Sequence, residues 1–226
     1  MEVLCYYFLL YFMYCVIGYV LECIFCSIID KKLVLNRGFL IGPYLPIYGK
    51  GALCIILLLN KYLEDPFALF IMASLIATVL EYFASYFMEK IFKARWWDYS
   101  EKKFNLNGRV CLTNTVLFGL GGLIVMYVIN PFLTGILDGF SKTTIIVLGL
   151  IFFTIYAVDT IISFTTIYKL RSSSTSLKKD STEEISEQVR ETILKNSYFK
   201  KRLLNAFPRI EKSEMYNKIK DILNKK

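Results

Sequence analysis

The chain has 226 residues and a formal net charge of +8, and 55% of its residues are hydrophobic. Its mean hydropathy of +0.47 is too high for a soluble domain of this size and indicates a membrane protein. The sequence contains no His, which excludes Ser-His-Asp and Cys-His catalysis and HExxH zinc chemistry. It also contains no GxxxxGK[ST] motif, so the chain itself does not hydrolyse nucleotide through a P-loop.

Five apolar runs are long enough to cross a ~30 Å hydrocarbon core at about 1.5 Å per residue. They lie at about 3–29, 40–60, 66–89, 112–130 and 143–168. The first run starts with Glu2 rather than a basic region and is longer than the core of a signal peptide, which favours a retained helix. Residues 1–169 are therefore predicted to form an all-α, polytopic membrane domain with about five transmembrane helices.

Basic residues in the short loops predict the orientation of these helices. The loops after helices 1 and 3 hold most of them, at Lys31, Lys32, Arg37, Lys90, Lys93, Arg95, Lys102, Lys103 and Arg109. The loops after helices 2 and 4 hold only Lys61 and Lys142. Since basic loops remain on the cytoplasmic side, we expect a multi-pass protein of the cell membrane with its N-terminus outside and its C-terminus cytoplasmic.

Residues 170–226 form a polar, basic tail. From Arg171 onward the tail has 14 Lys and Arg against 8 Asp and Glu. A capping-box pattern at Ser181, followed by apolar residues every fourth position, predicts that the tail is partly helical. Two interpretations remain open: docking onto anionic membrane lipids, and a solvated cytoplasmic tail. No nucleic-acid partner is expected, because no recognition fold accompanies the charge.

Four ionisable residues lie within the predicted spans, at Glu22, Lys50, Glu81 and Asp159. A charge in hydrocarbon costs roughly 2.5–3.5 kcal/mol, so such residues normally face a polar interior. At a rise of about 1.5 Å per residue, the three carboxylates lie ~12 to ~15 Å from the predicted cytoplasmic ends of their helices. This common depth predicts one substrate or ion cavity lined by the carboxylates, with Glu89 further along helix 3.

Helix 3 carries a polar stripe along one face, formed by Ser74, Thr78, Glu81, Ser85 and Glu89. The alternative to a cavity is interhelical hydrogen bonding, worth ~0.6 kcal/mol per bond. Ser and Thr fit this alternative. Glu81 and Asp159 do not, since a neutral side chain would bond at a lower desolvation cost.

Residues 38–51 include two Pro and four Gly, which disfavours a regular helix across the whole segment. Irregular backbone at membrane depth requires protein or water to satisfy its polar groups. The segment is therefore either re-entrant, as in the broken helices of many transporters, or a cytoplasmic loop leading into a helix that begins near Tyr48. Lys50 contributes to the cavity in the first case and snorkels to the interface in the second.

The segment between helices 3 and 4 combines paired Trp with Arg, Asp and Asn. This pattern is typical of an aromatic belt at the membrane surface. It also fits a lip that binds an anion or a lipid headgroup at the cytoplasmic mouth of the cavity. The candidate residues for this mouth are Arg37, Trp97, Asp98, Arg109 and Asn114.

Distinctive motifs occur along residues 5–168, namely Asn36-Arg37-Gly38-Phe39-Leu40, Gly42-Pro43, Pro46-Ile47-Tyr48-Gly49, Glu81-Tyr82, Met88-Glu89, Trp97-Asp98-Tyr99-Ser100 and Asn107-Gly108-Arg109-Val110-Cys111-Leu112. In combination they resemble the CmpB-like family of small membrane proteins, whose members are labelled ABC-transporter permeases. The resemblance implies an integral membrane protein of bacterial type with a transport role. It supplies no catalytic residues.

We therefore expect a transporter or permease subunit with a polar intramembrane cavity, and neither catalytic residues nor a metal or cofactor. An ATPase partner would be a separate chain, and the small number of spans favours a homo-oligomer. One alternative is a membrane-embedded enzyme or lipid-headgroup-handling protein, with Glu81 or Asp98 as acid/base and Arg109 binding phosphate. Another is a structural or regulatory partner whose charges pair internally.

Overall fold

A computed structural model of the protein describes residues 1–31, 38, 40–92 and 97–176, with the backbone alone at 29–30, 92 and 166–176. Within these residues the fold is helical apart from one small hairpin, which confirms the predicted all-α class. Arg37 and the tail from residue 177 onward, for which a mouth role and a partly helical structure were predicted, lie outside the described residues.

The helices, in chain order, are α1 (Glu2–Asp30), α2 (Pro46–Leu59), α3 (Pro66–Phe92), α4 (Leu112–Ile124), α5 (Asn130–Asp138) and α6 (Lys142–Ser176). A 3₁₀ turn follows α2 at Asn60–Tyr62, and the hairpin strands are β1 (Asn105–Leu106) and β2 (Val110–Cys111). Four stretches are long and apolar enough to cross a membrane: Glu2–Ile28, Pro66–Ile91, Leu112–Asp138 and Lys142–Thr165.

The third of these stretches, Leu112–Asp138, consists of α4 and α5 joined by a π-helical turn at Val125–Ile129. Pro131 lies in the first turn of α5 and has no backbone N–H, so the regular hydrogen-bond pattern is interrupted at this point. The interruption widens the helix locally but does not end it. The apolar span therefore continues to Asp138, beyond the predicted end at residue 130.

The helix predicted over residues 40–60 begins only at Pro46 and is 14 residues long. At about 1.5 Å per residue it extends ~21 Å, which is short of a ~30 Å hydrocarbon core. Leu45, in an extended conformation, caps its N-terminus, and Pro46 occupies the first turn, where a missing N–H is tolerated. Residues 40–45, which were predicted to belong to this helix, are non-helical.

α2 begins at the middle of the helix bundle. The backbone N–H of Leu45 donates to the carbonyl of Cys15 at 2.9 Å, and Cys15 lies midway along the Glu2–Ile28 stretch. Gly49 also packs against Cys15, while Gly18 packs against the ring of Tyr48. α2 thus runs antiparallel to α1 from this level, and the Gly/Pro segment enters the bundle rather than lying outside it.

α1 and α6 run side by side in the same direction. Gly149 packs against Cys5 near the start of both helices, and the hydroxyls of Tyr11 and Tyr156 lie 2.9 Å apart further along. Aromatic pairs fill the seam between them: Phe8–Phe153, Phe8–Tyr156, Tyr11–Tyr156 and Phe12–Phe152. Because α1 and α6 are aligned in this way, the later part of α6 lies at the same depth in the bundle as the start of α2.

α3 and α4 pack closely because small residues face each other along their seam. Gly122 lies against Ala73, and Gly119 lies against Ser74. Small residues at such positions allow helix backbones to approach in a membrane. The buried residues Ile55, Leu59, Leu69, Ala73 and Met126 form a core where α2 meets this pair. The seam fixes the face of α3 that carries the polar stripe.

Gly122→Ala and Gly121→Ala are predicted to change stability in opposite directions. A Cβ at residue 122 would lie 2.4 Å from the Cβ of Ala73, whereas a Cβ at residue 121 meets nothing within 4 Å. Overpacking costs roughly 1–3 kcal/mol, while Ala in place of an unconstrained helical Gly gains up to ~1 kcal/mol. Thermal unfolding in detergent should give a lower midpoint for G122A and an equal or higher one for G121A. Equal midpoints for the two variants would contradict the packing.

Candidate functional site

Asp159 of α6 is buried, with 6% of its surface exposed, and both of its carboxylate oxygens accept hydrogen bonds. Oδ1 accepts from the backbone N–H of Ile41 at 2.8 Å and from the hydroxyl of Ser163 at 2.9 Å. Oδ2 accepts from the backbone N–H of Gly42 at 2.7 Å and from the hydroxyl of Tyr44. Four protein donors therefore surround a single carboxylate.

These contacts make Asp159 a clamp for the non-helical half of the second span. An ionised carboxylate offers about four acceptor positions, and hydrogen bonds to a charged acceptor are the strong ones. Backbone N–H groups in non-helical conformation at this depth need such partners, because lipid offers none. Leu40 and Tyr44 complete the attachment by packing in a buried cluster with Cys15. The oxygens of Asp159 thus face protein donors.

Glu22 and Glu81 lie in a different group of side chains, which we call the Glu22–Glu81 cluster: Glu22, Tyr48, Glu81, Tyr99 and Asn114. The hydroxyl of Tyr48 donates to Oε2 of Glu22 at 2.8 Å, and that of Tyr99 donates to Oε1 of Glu81 at 3.1 Å. Asn114 approaches the same Glu81 carboxylate, and the two carboxylates interact electrostatically. The cluster thus joins α1, α2, α3, α4 and the loop before the hairpin.

Glu81 is the least satisfied member of this cluster. Its side chain is 7% exposed, and its Oε2 has no hydrogen-bond partner among the described residues. The ion pairs in the described part of the chain join Arg109 to Glu89 and Lys142 to Glu2, so neither Glu22 nor Glu81 has a basic partner there. A buried polar atom left unpaired costs roughly 1–3 kcal/mol, and more when it is charged.

The hairpin positions Tyr99 over Glu81. Asn107 and Gly108 have φ of 54° and 67°, the left-handed values that a tight hairpin turn requires. The backbone N–H of Tyr99 donates to the carbonyl of Gly108 at 2.8 Å, and Nε1 of Trp97 donates to the carbonyl of Arg109 at 2.9 Å. Burial first, and then the Glu81 carboxylate, raises the pKa of the Tyr99 phenol, which therefore remains a hydrogen-bond donor.

Arg109 fixes the hairpin to α3. Its guanidinium lies 2.6 Å from the carboxylate of Glu89 and donates to Ser85 at 3.3 Å. It also lies 5.8 Å from the ring centre of Tyr82 and 5.5 Å from that of Tyr86, within the range of cation–π attraction. Glu89 is therefore an ion-pair partner of the hairpin, separate from the Glu22–Glu81 cluster.

The polar stripe of α3 contains Glu81, and its other residues attach α3 to neighbouring parts of the chain. Thr78 pairs with Thr115 of α4 at 2.9 Å, and Ser85 and Glu89 pair with Arg109. Each of these interactions attaches α3 to the chain that follows it. The alternative of interhelical hydrogen bonding therefore describes most of the stripe, whereas Ser74 bonds within its own helix and Glu81 keeps one oxygen without a partner among the described residues.

The remaining predicted residues have separate positions. Asp98 is exposed, and its Oδ1 accepts from the backbone N–H of Ser100 at 3.0 Å and from its hydroxyl at 2.5 Å, which closes a local turn. Lys50 is exposed on the face of α2 that also carries Leu57, and it forms no ion pair or hydrogen bond with the described residues. The structure does not bring Lys50 to the carboxylates as a counter-ion.

The sequence analysis missed the Tyr hydroxyl groups that complete both sites. Tyr44, Tyr48 and Tyr99 donate to Asp159, Glu22 and Glu81 respectively. Ser163, which donates to Asp159, was recognisable because it lies four residues later on the same helical face. The three Tyr residues lie in or near non-helical segments, where no periodicity indicates the direction of a side chain.

The fold and these sites define a polytopic helical membrane protein with four membrane-length stretches, a short second helix that begins inside the bundle, and an acidic cluster around Glu22 and Glu81. The chain belongs to the family described as "Putative ABC-transporter type IV", whose family model matches residues 9–164. This match confirms the resemblance seen in the sequence and, with the four long apolar helices, supports a multi-pass membrane protein of the ABC-transporter type. No curated protein and no solved structure matches the chain.

Asp159→Asn is predicted to destabilise the fold by about 2–4 kcal/mol, because one acceptor oxygen is lost and an NH₂ group faces the existing donors. The matched control is Asp138→Asn, at an exposed carboxylate that accepts one hydrogen bond from Tyr6. Thermal unfolding in detergent should show a large fall in midpoint for D159N and little change for D138N. Equal effects would argue against the clamp.

Arg109→Lys is predicted to loosen the hairpin, because a lysine keeps the charge but cannot bond Glu89 and Ser85 together or stack on Tyr rings. Amide hydrogen exchange should quicken at Tyr99, Lys102 and Leu112, whose N–H groups bond within this segment. Lys142→Arg, at an exposed ion pair, is the charge-conserving control and should leave these rates unchanged. Unaltered exchange in R109K would contradict the assigned role of Arg109.

Proposed function

We propose that the protein is the membrane-spanning subunit of an ABC-type transporter, and that the Glu22–Glu81 cluster is its substrate-contacting site. The observation that carries the proposal is the buried carboxylate of Glu81, which has an unpaired oxygen beside a second carboxylate. Charged groups within membrane spans normally mark the path of a substrate or ion. Family membership supplies the transport class.

The broken second span supports the same location. In many transporters the substrate site lies where a discontinuous helix exposes the end of a half-helix at mid-membrane. α2 begins at the level of Cys15, and its first turn carries Tyr48, which bonds directly to Glu22. The positive end of the α2 dipole and the acidic cluster therefore meet at one level of the bundle.

The proposed site contains fewer carboxylates than the cavity that was predicted from the sequence. Asp159 is engaged by four protein donors, and Glu89 is paired with Arg109. Glu22 and Glu81 remain from the predicted set, and Oε2 of Glu81 has no hydrogen-bond partner among the described residues. A site of this kind favours a substrate that carries positive charge or several hydrogen-bond donors.

An ATPase partner would be a separate chain, because this sequence has no P-loop. α6 continues from the end of its apolar stretch at Thr165 to Ser176, which extends it by ~16 Å at about 1.5 Å per residue. With the predicted orientation, this extension and the basic tail lie in the cytoplasm and offer the docking surface. Contact with anionic lipids through the tail and assembly into a homo-oligomer belong to the same proposal.

The enzyme alternative has less support from the geometry. Asp98 closes an exposed local turn, and Arg109 is occupied by Glu89, so neither is placed as an acid/base or phosphate-binding group. The structural-partner alternative requires internally paired charges, and Oε2 of Glu81 has no partner among the described residues. Both observations favour transport.

Glu81→Gln is predicted to abolish ATP-dependent solute uptake without preventing assembly, because the amide keeps the size of the side chain but not its charge. Inside-out membrane vesicles would be incubated with Mg·ATP and a small-molecule extract of the same cells, and their contents read by mass spectrometry. Right-side-out vesicles test import in the same way. At least one solute should accumulate with the wild type and not with E81Q or vesicles lacking the protein.

Glu64→Gln is the matched control, because Glu64 is an exposed carboxylate between α2 and α3. It should transport like the wild type, and both variants should copurify with a nucleotide-binding subunit after mild solubilisation. Uptake that persists in E81Q would contradict the site. The absence of any ATP-dependent difference between wild-type vesicles and vesicles lacking the protein would contradict the function.

A further inference from the structure

We propose that the Glu22–Glu81 pair is a proton-binding site, with one exchangeable proton held on Glu81. The inference deepens the proposed function, since it assigns a ligand to the same cluster, but it concerns the resting protein and requires no transport. It depends on four features of the structure: the burial of Glu81, its unpaired oxygen, the neighbouring carboxylate, and the neutral character of the surrounding groups.

Every element packed around Glu81 presents a polar group to the cluster, and none of these groups is a cation. α1 contributes the carboxylate of Glu22, and α2 contributes the hydroxyl of Tyr48. The loop before the hairpin contributes the hydroxyl of Tyr99, β2 contributes Cys111 beside that phenol, and α4 contributes Asn114. If both carboxylates were ionised, the cluster would hold two negative charges, one of them on the buried Glu81, without a counter-charge among the described residues, which is unfavourable.

The two carboxylates are not equivalent, and the difference places the proton. Both oxygens of Glu22 accept hydrogen bonds, Oε2 from Tyr48 at 2.8 Å and Oε1 from the thiol of Cys26 at 3.5 Å, and the side chain is partly exposed. Glu81 is buried, its Oε1 accepts from Tyr99, Asn114 approaches its carboxylate, and its Oε2 has no hydrogen-bond partner among the described residues. The proton therefore resides on Oε2 of Glu81, the oxygen without an acceptor role.

The proposed step is the reversible transfer of one proton between water and Glu81. The Glu81 carboxylate takes one proton from water and becomes a neutral carboxylic acid, and the reverse step returns that proton. Glu22, which is nearer the solvent, is the group through which the proton passes. A positively charged substrate that enters the proposed site would displace the proton, so that substrate uptake and proton release are coupled.

The chain contains two internal controls. Asp159 is as buried as Glu81, but both of its oxygens accept hydrogen bonds, four in total. Glu89 is paired with Arg109 at 2.6 Å. Labelling at Glu81 without labelling at Asp159 is the pattern that separates a proton site from burial alone.

The test uses dicyclohexylcarbodiimide, an apolar reagent that modifies protonated carboxyl groups, on the purified full-length protein in detergent. Peptide mapping by mass spectrometry should find the adduct on Glu81, and several-fold less on Asp159 and Glu89. Labelling should decline as the pH is raised. In Glu22→Gln the neighbouring charge is absent, so labelling of Glu81 at a fixed alkaline pH should fall several-fold.

Infrared pH-difference spectra give a second readout that needs no reagent access. The carbonyl band of a protonated carboxylic acid should be present in the wild type and absent in Glu81→Gln. The proposal is overturned if neither the adduct nor the band is found at Glu81, if Asp159 is labelled equally, or if sodium, potassium or magnesium chloride suppresses the labelling at fixed pH. These measurements need no ATPase and no substrate. The proton site can therefore be confirmed even if the uptake assay fails, and uptake can be observed even if the proton site is absent.

Discussion

The carboxylate of Asp159 holds non-helical backbone in the interior of a helix bundle, and the rest of the arrangement follows from this contact. A chain within a membrane must satisfy every backbone N–H group from protein or water. Ile41 and Gly42 cannot form helical hydrogen bonds, and Asp159 accepts from both. α2 can therefore begin at the middle of the bundle, where its first turn brings Tyr48 to Glu22. Without the clamp, the second span would have no stable non-helical half.

The carboxylates of Asp159, Glu89 and Glu81 have different roles in the structure. Asp159 is fully hydrogen-bonded and fixes the backbone, and Glu89 attaches the hairpin through Arg109. Glu81 keeps an oxygen without a partner among the described residues, beside a second carboxylate. Natural proteins tolerate an unpaired buried polar group where it serves a function, because elsewhere a neutral or smaller residue would be more stable. This contrast distinguishes the proposed site from the groups that build it.

Much of the architecture could be predicted from the sequence. Four of the five predicted apolar runs correspond to the membrane-length stretches, and the Gly and Pro residues of 38–51 disfavoured a regular helix across that segment. Buried carboxylates were recognisable by their cost in hydrocarbon. The run predicted over 112–130 ended too early, because a π-helical turn accommodates Pro131 and the apolar stretch continues to Asp138.

The grouping of the carboxylates could not be predicted in the same way. Depth along a helix is readable from residue spacing, and it placed Glu22, Glu81 and Asp159 at a similar level. The direction in which each side chain points around the bundle depends on helix packing, which spacing does not reveal. The donors that separate the carboxylates come largely from non-helical segments, where Tyr44 and Tyr99 have no periodic signature. Common depth was therefore insufficient to establish a common site.

Amide hydrogen exchange at Ile41 and Gly42 tests the central claim most directly, because these two N–H groups are the ones that Asp159 binds. They should exchange slowly in the wild type and in Glu81→Gln, and rapidly in Asp159→Asn. Rapid exchange at both amides in the folded wild-type protein would contradict the clamp, and with it the broken second span on which the proposed site depends.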